Sequence, residues 1–110
     1  MSCIFCKIAA KEMKSSVVYE SGDVIAFDDI APQAPVHVVI IPREHALNMT
    51  ALNGNIQGEI FKAISQVSKL KKVQDSGFRV IVNSGKDAGQ AVEHLHFHLL
   101  GGRRLAWPPG

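Results

Sequence analysis

The segment from residue 93 to residue 102 alternates histidine with apolar residues, and this period of two constrains the fold more than any other feature. The histidines occupy every second position: His94, His96 and His98. The residues between and after them are apolar: Leu95, Phe97 and Leu99. Because side chains alternate across a β-strand, the pattern predicts a strand with one face for a core and one for a site. Glu93 is then expected on the apolar side.

The rest of the chain predicts four more strands and a short helical turn after Cys3. The strands cover residues 17–20 and 23–28 as a hairpin, then 36–41 and 78–83. Residues 36–41 are almost continuously apolar, so this strand is expected to be central and buried on both faces, with Pro42 at its end. His37 within it is interpreted as a core histidine that is hydrogen-bonded to a neighbour.

One long helix is predicted from Asn55 to Val73, with Asn55 as its N-cap and residues 75–77 as its stop. Its apolar positions fall on one stripe: Ile56, Ile60, Ile64, Val67 and Leu70. This stripe must cover an apolar sheet face, and the apolar side of the histidine strand is the candidate. Such packing leaves the histidine face free for chemistry.

Length and charge exclude several classes of protein. A chain of 110 residues with 46% apolar residues suffices for one domain and one core. A net charge of +2 does not indicate nucleic acid or a membrane surface as a partner. No signal peptide or membrane-spanning run of about 20 apolar residues is evident, so a cytoplasmic protein is expected, also nuclear if eukaryotic.

Two chemistries fit the histidine face. A neutral imidazole can attack phosphorus while a neighbouring histidine holds or protonates the phosphoryl oxygens. Alternatively, His-x-His spacing on a strand suits a catalytic zinc ion. The zinc hypothesis lacks a carboxylate beside the row, and this favours the nucleophile.

Cys3 and Cys6 form a Cys-x-x-Cys pair, which supplies half of a tetrahedral structural zinc site. His45 and one histidine of the row could complete it. A redox pair is the rival interpretation, and two unconnected thiols are the simplest one.

Two further segments carry candidate ligand-binding groups. The loop at residues 84–90 has two glycines directly before the histidine row, where backbone N–H groups could cradle a phosphate. Asn83 could donate a hydrogen bond to the same phosphate. Asp29, at the end of the face that carries Ile25 and Phe27, could accept sugar hydroxyls.

The row, with the ending at residues 100–103 and 107–110, resembles the histidine triad (HIT) family and its Hint branch. The similarity extends to residues 4–8, 26–37, 40–45 and 83–90. It implies an α+β fold over residues 1–110, with a five-stranded antiparallel sheet, one long helix and one short helix. It also implies a homodimer with a continuous ten-stranded sheet, in which the tail at residues 101–110 contributes to the dimer and the active site.

The resemblance implies a nucleotidyl hydrolase that cleaves the P–N bonds of purine nucleoside phosphoramidates and also aminoacyl adenylates. AMP or GMP would be the product, and no organic cofactor is expected. A non-catalytic nucleotide-binding or adaptor protein on the same scaffold remains an alternative, as does a zinc-dependent hydrolase.

The resemblance also implies residue roles. His96 would be the nucleophile that forms a covalent nucleotidyl-histidine, His98 would contact the phosphate, and His94 would orient the row. The remaining nucleotide contacts would be Phe5, Ile8, Phe27 and Ile30 around the base, Asp29 on the ribose, Asn83, Gly89, Gln90 and Ala91 on the phosphate, and Trp107 from the partner subunit.

Two features distinguish this chain within the resemblance. Ala91 stands where animal Hint proteins usually carry a serine, so a side-chain donor near the scissile bond is lost. Bacterial-type relatives with the Cys-x-x-Cys pair bind structural zinc through two cysteines and two histidines. Here the corresponding residues are Cys3, Cys6, His45 and His94.

Overall fold

The computed structural model describes residues 3–52 and 54–110, which form two α-helices and five β-strands. The helices are α1 (Ile4–Ala9) and α2 (Gly54–Leu70). The strands are β1 (Val17–Glu20), β2 (Val24–Asp28), β3 (Val36–Pro42), β4 (Phe78–Val82) and β5 (Phe97–Gly101). A short 3₁₀ turn at Met49–Ala51 precedes α2 and was not predicted. In the part of the chain described, no helix is long and apolar enough to cross a membrane.

The strands form one antiparallel sheet in the order β1-β2-β3-β5-β4. The predicted α+β class with a five-stranded antiparallel sheet is therefore confirmed. β5 lies inside the sheet, where His98 is opposite Val39 of β3 and Ile81 of β4. Pairing on both sides fixes the register of the strand that carries the last histidine.

One face of the sheet packs against α2. The helix contributes Ile56, Ile60, Ala63, Ile64 and Val67 to this core, and the sheet side contributes Val24, Ala26, Val38, Ile40, Leu95, Phe97 and Leu99. The predicted stripe is thus confirmed at four of its five positions. The fifth residue, Leu70, is 56% exposed. Leu95, Phe97 and Leu99 belong to the core that α2 covers, as predicted.

The opposite face packs against α1 through Ile8, Ala9, Ile25, Phe27, Val39 and Ile41. β3 contributes to both cores and is buried on both faces, as predicted. Because directly opposed residues of antiparallel strands share a face, His98 lies on the same side as Val39. The histidines therefore lie on the α1 side of the sheet.

The histidine strand begins later than predicted. β5 starts at Phe97, so His94 and His96 lie in the extended and bent segment before it. The ladder stops because Pro42 has no N–H, its carbonyl accepts from the His94 side chain, and Leu95 N–H donates to Ala46 instead. The alternation of faces persists at Leu95, whereas Glu93 is exposed and not on the apolar face.

The bounds of the long helix also differ from the prediction. The helix begins at Gly54, so Asn55 lies within its first turn and is not the N-cap. It ends at Leu70 because Lys72 adopts a left-handed conformation with φ of 59°. The N–H groups of Val73 and Gln74 then donate to Ser68, which satisfies a terminal carbonyl and returns Val73 to the core.

Candidate active site

His96 is held in one tautomer by the main chain. Its ring is 5% exposed, and its Nδ1 lies 2.8 Å from the carbonyl oxygen of His94. Because a carbonyl only accepts, the hydrogen bond assigns the ring proton to Nδ1 and leaves a lone pair on Nε2. The ring of Phe5 packs edge-on against His96, with centroids 5.0 Å apart. His96 is thus oriented by one hydrogen bond and one aromatic contact.

His98 is oriented by a hydrogen-bond series that starts at a backbone amide. Gln33 N–H donates to His37 Nδ1 at 3.0 Å, so the proton of neutral His37 lies on Nε2. His37 Nε2 then donates to His98 Nδ1 at 2.9 Å. The proton of His98 is therefore on Nε2. The structure confirms that His37 is a buried, hydrogen-bonded histidine, and its neighbour is His98.

Asp29 lies beside this histidine pair. Its Oδ1 accepts from Ala31 N–H at 2.8 Å, and its Oδ2 is 3.4 Å from His37 Nε2. The ligand atoms of Asp29, His37 and His98 lie within 4.8 Å of one another, a spacing that could hold a metal ion. The Nε2 proton of His37 is donated to His98 Nδ1, so a hydrogen bond accounts for the approach of these two rings without a metal.

The electrostatic surroundings keep His98 neutral. Burial lowers the pKa of His98 most, and the positive charges that His96 and His37 would carry when protonated lower it further. The Asp29 carboxylate acts in the opposite direction. A neutral His98 with its proton on Nε2 can donate one hydrogen bond from that atom.

A second cluster brings together the two cysteines and two histidines of the predicted metal set. Cys3 Sγ and Cys6 Sγ each lie 3.4 Å from His94 Nδ1, and Cys6 Sγ lies 3.3 Å from His45 Nδ1. Zn–S bonds of about 2.3 Å and Zn–N bonds of about 2.0–2.1 Å give a tetrahedral S···N edge of about 3.5 Å. His94 Nδ1 has one lone pair, and one thiol hydrogen bond would be enough to satisfy it. Two sulfur atoms nevertheless lie close to this nitrogen. The four residues fit a zinc ion.

His94 is fully buried and is fixed on three sides. Its Nε2 donates to the Pro42 carbonyl at 2.9 Å, so its Nδ1 lone pair is directed at the sulfur atoms. Burial lowers the pKa of His94, which favours the neutral form that a metal needs. Its carbonyl accepts from His96. One residue therefore connects the sulfur-containing cluster to the candidate nucleophile.

The glycine loop before the histidines is closed mainly by its own hydrogen bonds. Gly85 and Gly89 have φ values of 87° and 79°, conformations that favour glycine. Gly89 N–H donates to Lys86, and Gln90 N–H donates to Gly85. The Ala91 N–H has no hydrogen-bond partner among the described residues. It is therefore available to an anion, whereas the amides of Gly89 and Gln90 are already engaged.

The other predicted nucleotide contacts differ in accessibility. Ile8 and Phe27 are each 6% exposed, so most of their surface is already used by the core. Ile30 is 99% exposed and Trp107 is 77% exposed, with the Arg79 guanidinium 5.6 Å from the Trp107 ring centre. Phe5 and Asn83 are half-buried. Most of the surface of Ile30 and Trp107 is therefore open to solvent in the single chain.

The sequence did not predict the groups that orient the histidines and the glycine loop through hydrogen bonds. They include the Gln33 amide, the Pro42 carbonyl and the side chain of Gln90. Gln90 accepts from Gly85 N–H and donates to the carbonyls of Leu47 and Val92. Backbone N–H and carbonyl groups are the same in almost every residue, so the sequence does not indicate which of them will be used. The Gly89-Gln90 pair is the one sequence feature that pointed to the Gln90 side chain.

Comparisons with known sequences agree on one family. A sequence profile of the HIT domain matches residues 10–105. The chain is 42% identical over 113 residues to the 14 kDa zinc-binding protein of Brassica juncea, covering 97% of this chain and 98% of that protein. It is 41% identical over 113 residues to Adenylylsulfatase HINT1 of Arabidopsis thaliana, covering 97% of this chain and 76% of that protein.

A solved structure shares the fold over the full length. The HIT family hydrolase from Legionella pneumophila Philadelphia 1 superposes with a TM-score of 0.94 at 38% sequence identity. The match covers 99% of this chain and 100% of that one.

Proposed function

The chain belongs to the HIT domain family, and from this premise we propose that it is a purine nucleoside phosphoramidase. Its substrates would be adenosine or guanosine phosphoramidates and aminoacyl adenylates, and its product the nucleoside monophosphate. The observation that carries the proposal is the pair of opposite tautomers: His96 with a lone pair on Nε2 and His98 with a proton on Nε2. Adjacent rings with centroids 5.0 Å apart would supply a nucleophile and a hydrogen-bond donor to the reacting phosphate.

The proposed reaction has two steps. His96 Nε2 attacks phosphorus and the bond from phosphorus to the leaving nitrogen breaks. That nitrogen keeps the electron pair of the broken bond, accepts a hydrogen bond from His98 Nε2–H and takes its proton from a water molecule. The hydroxide left by that water attacks the nucleotidyl-histidine, the bond from phosphorus to His96 Nε2 breaks, and His96 and the monophosphate are released. His98 would supply the hydrogen bond near the leaving group because Ala91 has no hydroxyl to donate.

Several residues would bind the nucleotide. The Ala91 N–H and Asn83 would hold the phosphate at the end of the glycine loop, whose shape Gly89 and Gln90 maintain. The Oδ2 of Asp29 would accept a ribose hydroxyl. Phe5 and Ile30 retain accessible apolar surface for a base, over Ile8 and Phe27. Trp107 would complete the site from the partner subunit.

We also propose that Cys3, Cys6, His45 and His94 hold a structural zinc ion. The converging sulfur and nitrogen atoms support this, as does similarity to a protein named for zinc binding. Zinc bound there supplies a cross-link between α1 and the segment before β5, and no chemistry on the substrate. This role is compatible with His94 orienting His96 through its carbonyl.

The test is to trap the covalent intermediate. Wild-type protein quenched during turnover of an adenosine phosphoramidate should show the added mass of one adenylyl group on the peptide that contains His96. His96→Gly should bind AMP but form no adduct and lose at least about a thousandfold in kcat. Unchanged turnover in His96→Gly would exclude the proposed nucleophile. AMP binding by the wild type without turnover of any phosphoramidate would instead support a nucleotide-binding adaptor.

A further inference from the structure

A cavity of about 440 Å³ lies where the start of α1 meets the segments after β3 and before β5. Cys3 and His45 form the part of its wall that belongs to the sulfur-containing cluster. Ala91, Val92 and Glu93 form another part, and Ile4 and Leu47 add apolar surface. A volume of this size is within the range of about 300 to 1,000 Å³ that small-molecule sites occupy.

This cavity is close to the proposed reacting centre. Ala91 lines it, and the Ala91 N–H is the unengaged donor at the end of the glycine loop. Glu93 and His96 are three residues apart, so their Cα atoms are separated by at most about 11 Å. A phosphate held by the Ala91 N–H and attacked by His96 would therefore place its leaving group beside or inside the cavity.

Among the described residues that line this cavity, Glu93 is the one acidic or basic residue other than histidine and cysteine. Ile4, Leu47 and Val92 are apolar, whereas Glu93 is a carboxylate that forms no ion pair with any residue of the described ranges. Lys86 lines a neighbouring cavity of about 330 Å³ that shares Leu47 and Glu93, yet it does not pair with Glu93. An unpaired carboxylate above apolar walls suits an alkyl chain that ends in an ammonium group.

We infer that this cavity is the subsite for the leaving group and that Glu93 selects leaving groups with a positive charge. The inference rests on the proposed phosphoramidase function and adds a substrate class to it. The preferred substrates are nucleoside phosphoramidates of amines with an apolar stem and a cationic end. Glu93 acts at the far end of the leaving group and takes no part in the bond-breaking step.

The experiment compares three adenosine phosphoramidates whose linear amine leaving groups have equal length. One ends in an ammonium, one in a hydroxyl and one in a carboxylate. Wild-type protein should give the highest kcat/KM with the ammonium compound, by about two- to fivefold over the hydroxyl compound, the range expected of an exposed ion pair. Because the interaction is electrostatic, the preference should fall in about 1 M salt, where the Debye length is about 3 Å.

Variants assign the preference to one side chain. In Glu93→Gln the ratio of kcat/KM for the ammonium and hydroxyl compounds should fall to about one. In Glu93→Lys the carboxylate compound should become the best substrate. Glu12→Gln, which removes an exposed carboxylate elsewhere, should keep the wild-type ratio.

The outcomes separate the inference from the proposed function. Turnover of all three compounds at similar rates, or a wild-type ratio retained in Glu93→Gln, would overturn the subsite while leaving the phosphoramidase intact. Preference of the wild type for the carboxylate compound would also overturn it, since Lys86 would then dominate. No turnover of any of the three would contradict the proposed function itself.

Discussion

At the scale of single residues, the three histidines of the row differ in what their ring nitrogens contact. His94 directs Nδ1 at two sulfur atoms, His96 donates from Nδ1 to a carbonyl, and His98 accepts at Nδ1 from another imidazole. His96 thus carries its proton on Nδ1, whereas His94 and His98 carry theirs on Nε2. The differences arise from backbone and long-range contacts, and the spacing of two does not contain them.

The lowered pKa of His98 predicts how stability depends on pH. Between that lowered value and the ordinary histidine pKa of about 6.5, the unfolded chain binds a proton that the folded chain does not bind. The free energy of unfolding should therefore be highest above about pH 6.5 and should fall as the pH decreases below it. Denaturant titrations between about pH 8 and about pH 5.5 measure this dependence.

The matched variant is His98→Asn, whose side-chain oxygen can still accept from His37. In this variant the free energy of unfolding should depend less on pH. The part of the dependence due to His94, whose pKa is also lowered, should remain. An identical pH dependence in both proteins would show that His98 does not titrate as described.

The sequence predicted the faces on which these residues lie better than it predicted their hydrogen-bond partners. The period of two was sufficient to place Leu95, Phe97 and Leu99 in one core and the histidines opposite. The Gln33 amide and Pro42 carbonyl were not predictable, because every residue except proline offers the same backbone groups. Glu93 was predicted on the apolar face of the strand, but it precedes the first residue of β5. The alternation of faces along a strand therefore does not fix its position.

At the scale of elements, α1 and the segment before β5 are connected by the sulfur-containing cluster. Cys3 is the N-cap of α1, Cys6 lies in its first turn, and Phe5 between them contacts His94 and His96. A helix of six residues is too short to be stable alone. Its position over the site therefore depends on its contacts, and a zinc ion would add four bonds to them.

Removal of zinc should destabilise the protein. Zinc at about 100 times its dissociation constant stabilises the folded state by about 2.7 kcal/mol, so chelation should lower the Tm by about 10 to 20 °C. Elemental analysis should find one zinc per chain in the wild type and none in Cys6→Ser. A chelator should not lower the Tm of Cys6→Ser any further.

The activity per folded molecule distinguishes a structural zinc ion from a catalytic one. A structural ion predicts that metal-free protein that remains folded still turns over substrate. Loss of all activity at a temperature where the metal-free protein is fully folded would favour a zinc-dependent hydrolase.

Element types were predictable from the sequence, but several bounds were not. The stripe of α2 and the apolar run of β3 are periodic over many residues, so both elements were identified. The end of α2 depends on the left-handed Lys72, and the start of β5 depends on Pro42 of another strand. Such limits are set by local conformation or by contacts distant in sequence.

At the scale of the whole molecule, apolar surface remains exposed on α2 and on the edge strand β4. Phe61 is 72% exposed, and it lines an apolar cavity of about 240 Å³ with Met49, Leu52 and Phe97. Phe78 and Val80 of β4 are more than a third exposed. Exposed apolar surface beside an unpaired strand edge is typical of an interface, which supports the proposed homodimer.

The homodimer predicts a clear effect of Phe61→Glu. Wild-type protein should have twice the chain mass of 11.9 kDa in light scattering, and Phe61→Glu should shift towards the monomer. If Trp107 contributes to the partner's site, the monomeric variant should also lose activity. Met13→Glu, at an exposed apolar residue outside these elements, should remain dimeric. A wild type of single-chain mass would contradict the dimer.

The hydrogen-bond series from Gln33 through His37 to His98 has a consequence for how mutations at position 33 are tolerated. Its first donor belongs to the main chain, so it has no ionisation near neutrality and survives a change of side chain. Nineteen of the twenty amino acids could occupy that position and still dictate which nitrogen of each imidazole carries hydrogen. Proline alone lacks the amide hydrogen, so this contact would no longer determine which nitrogen of each imidazole carries hydrogen.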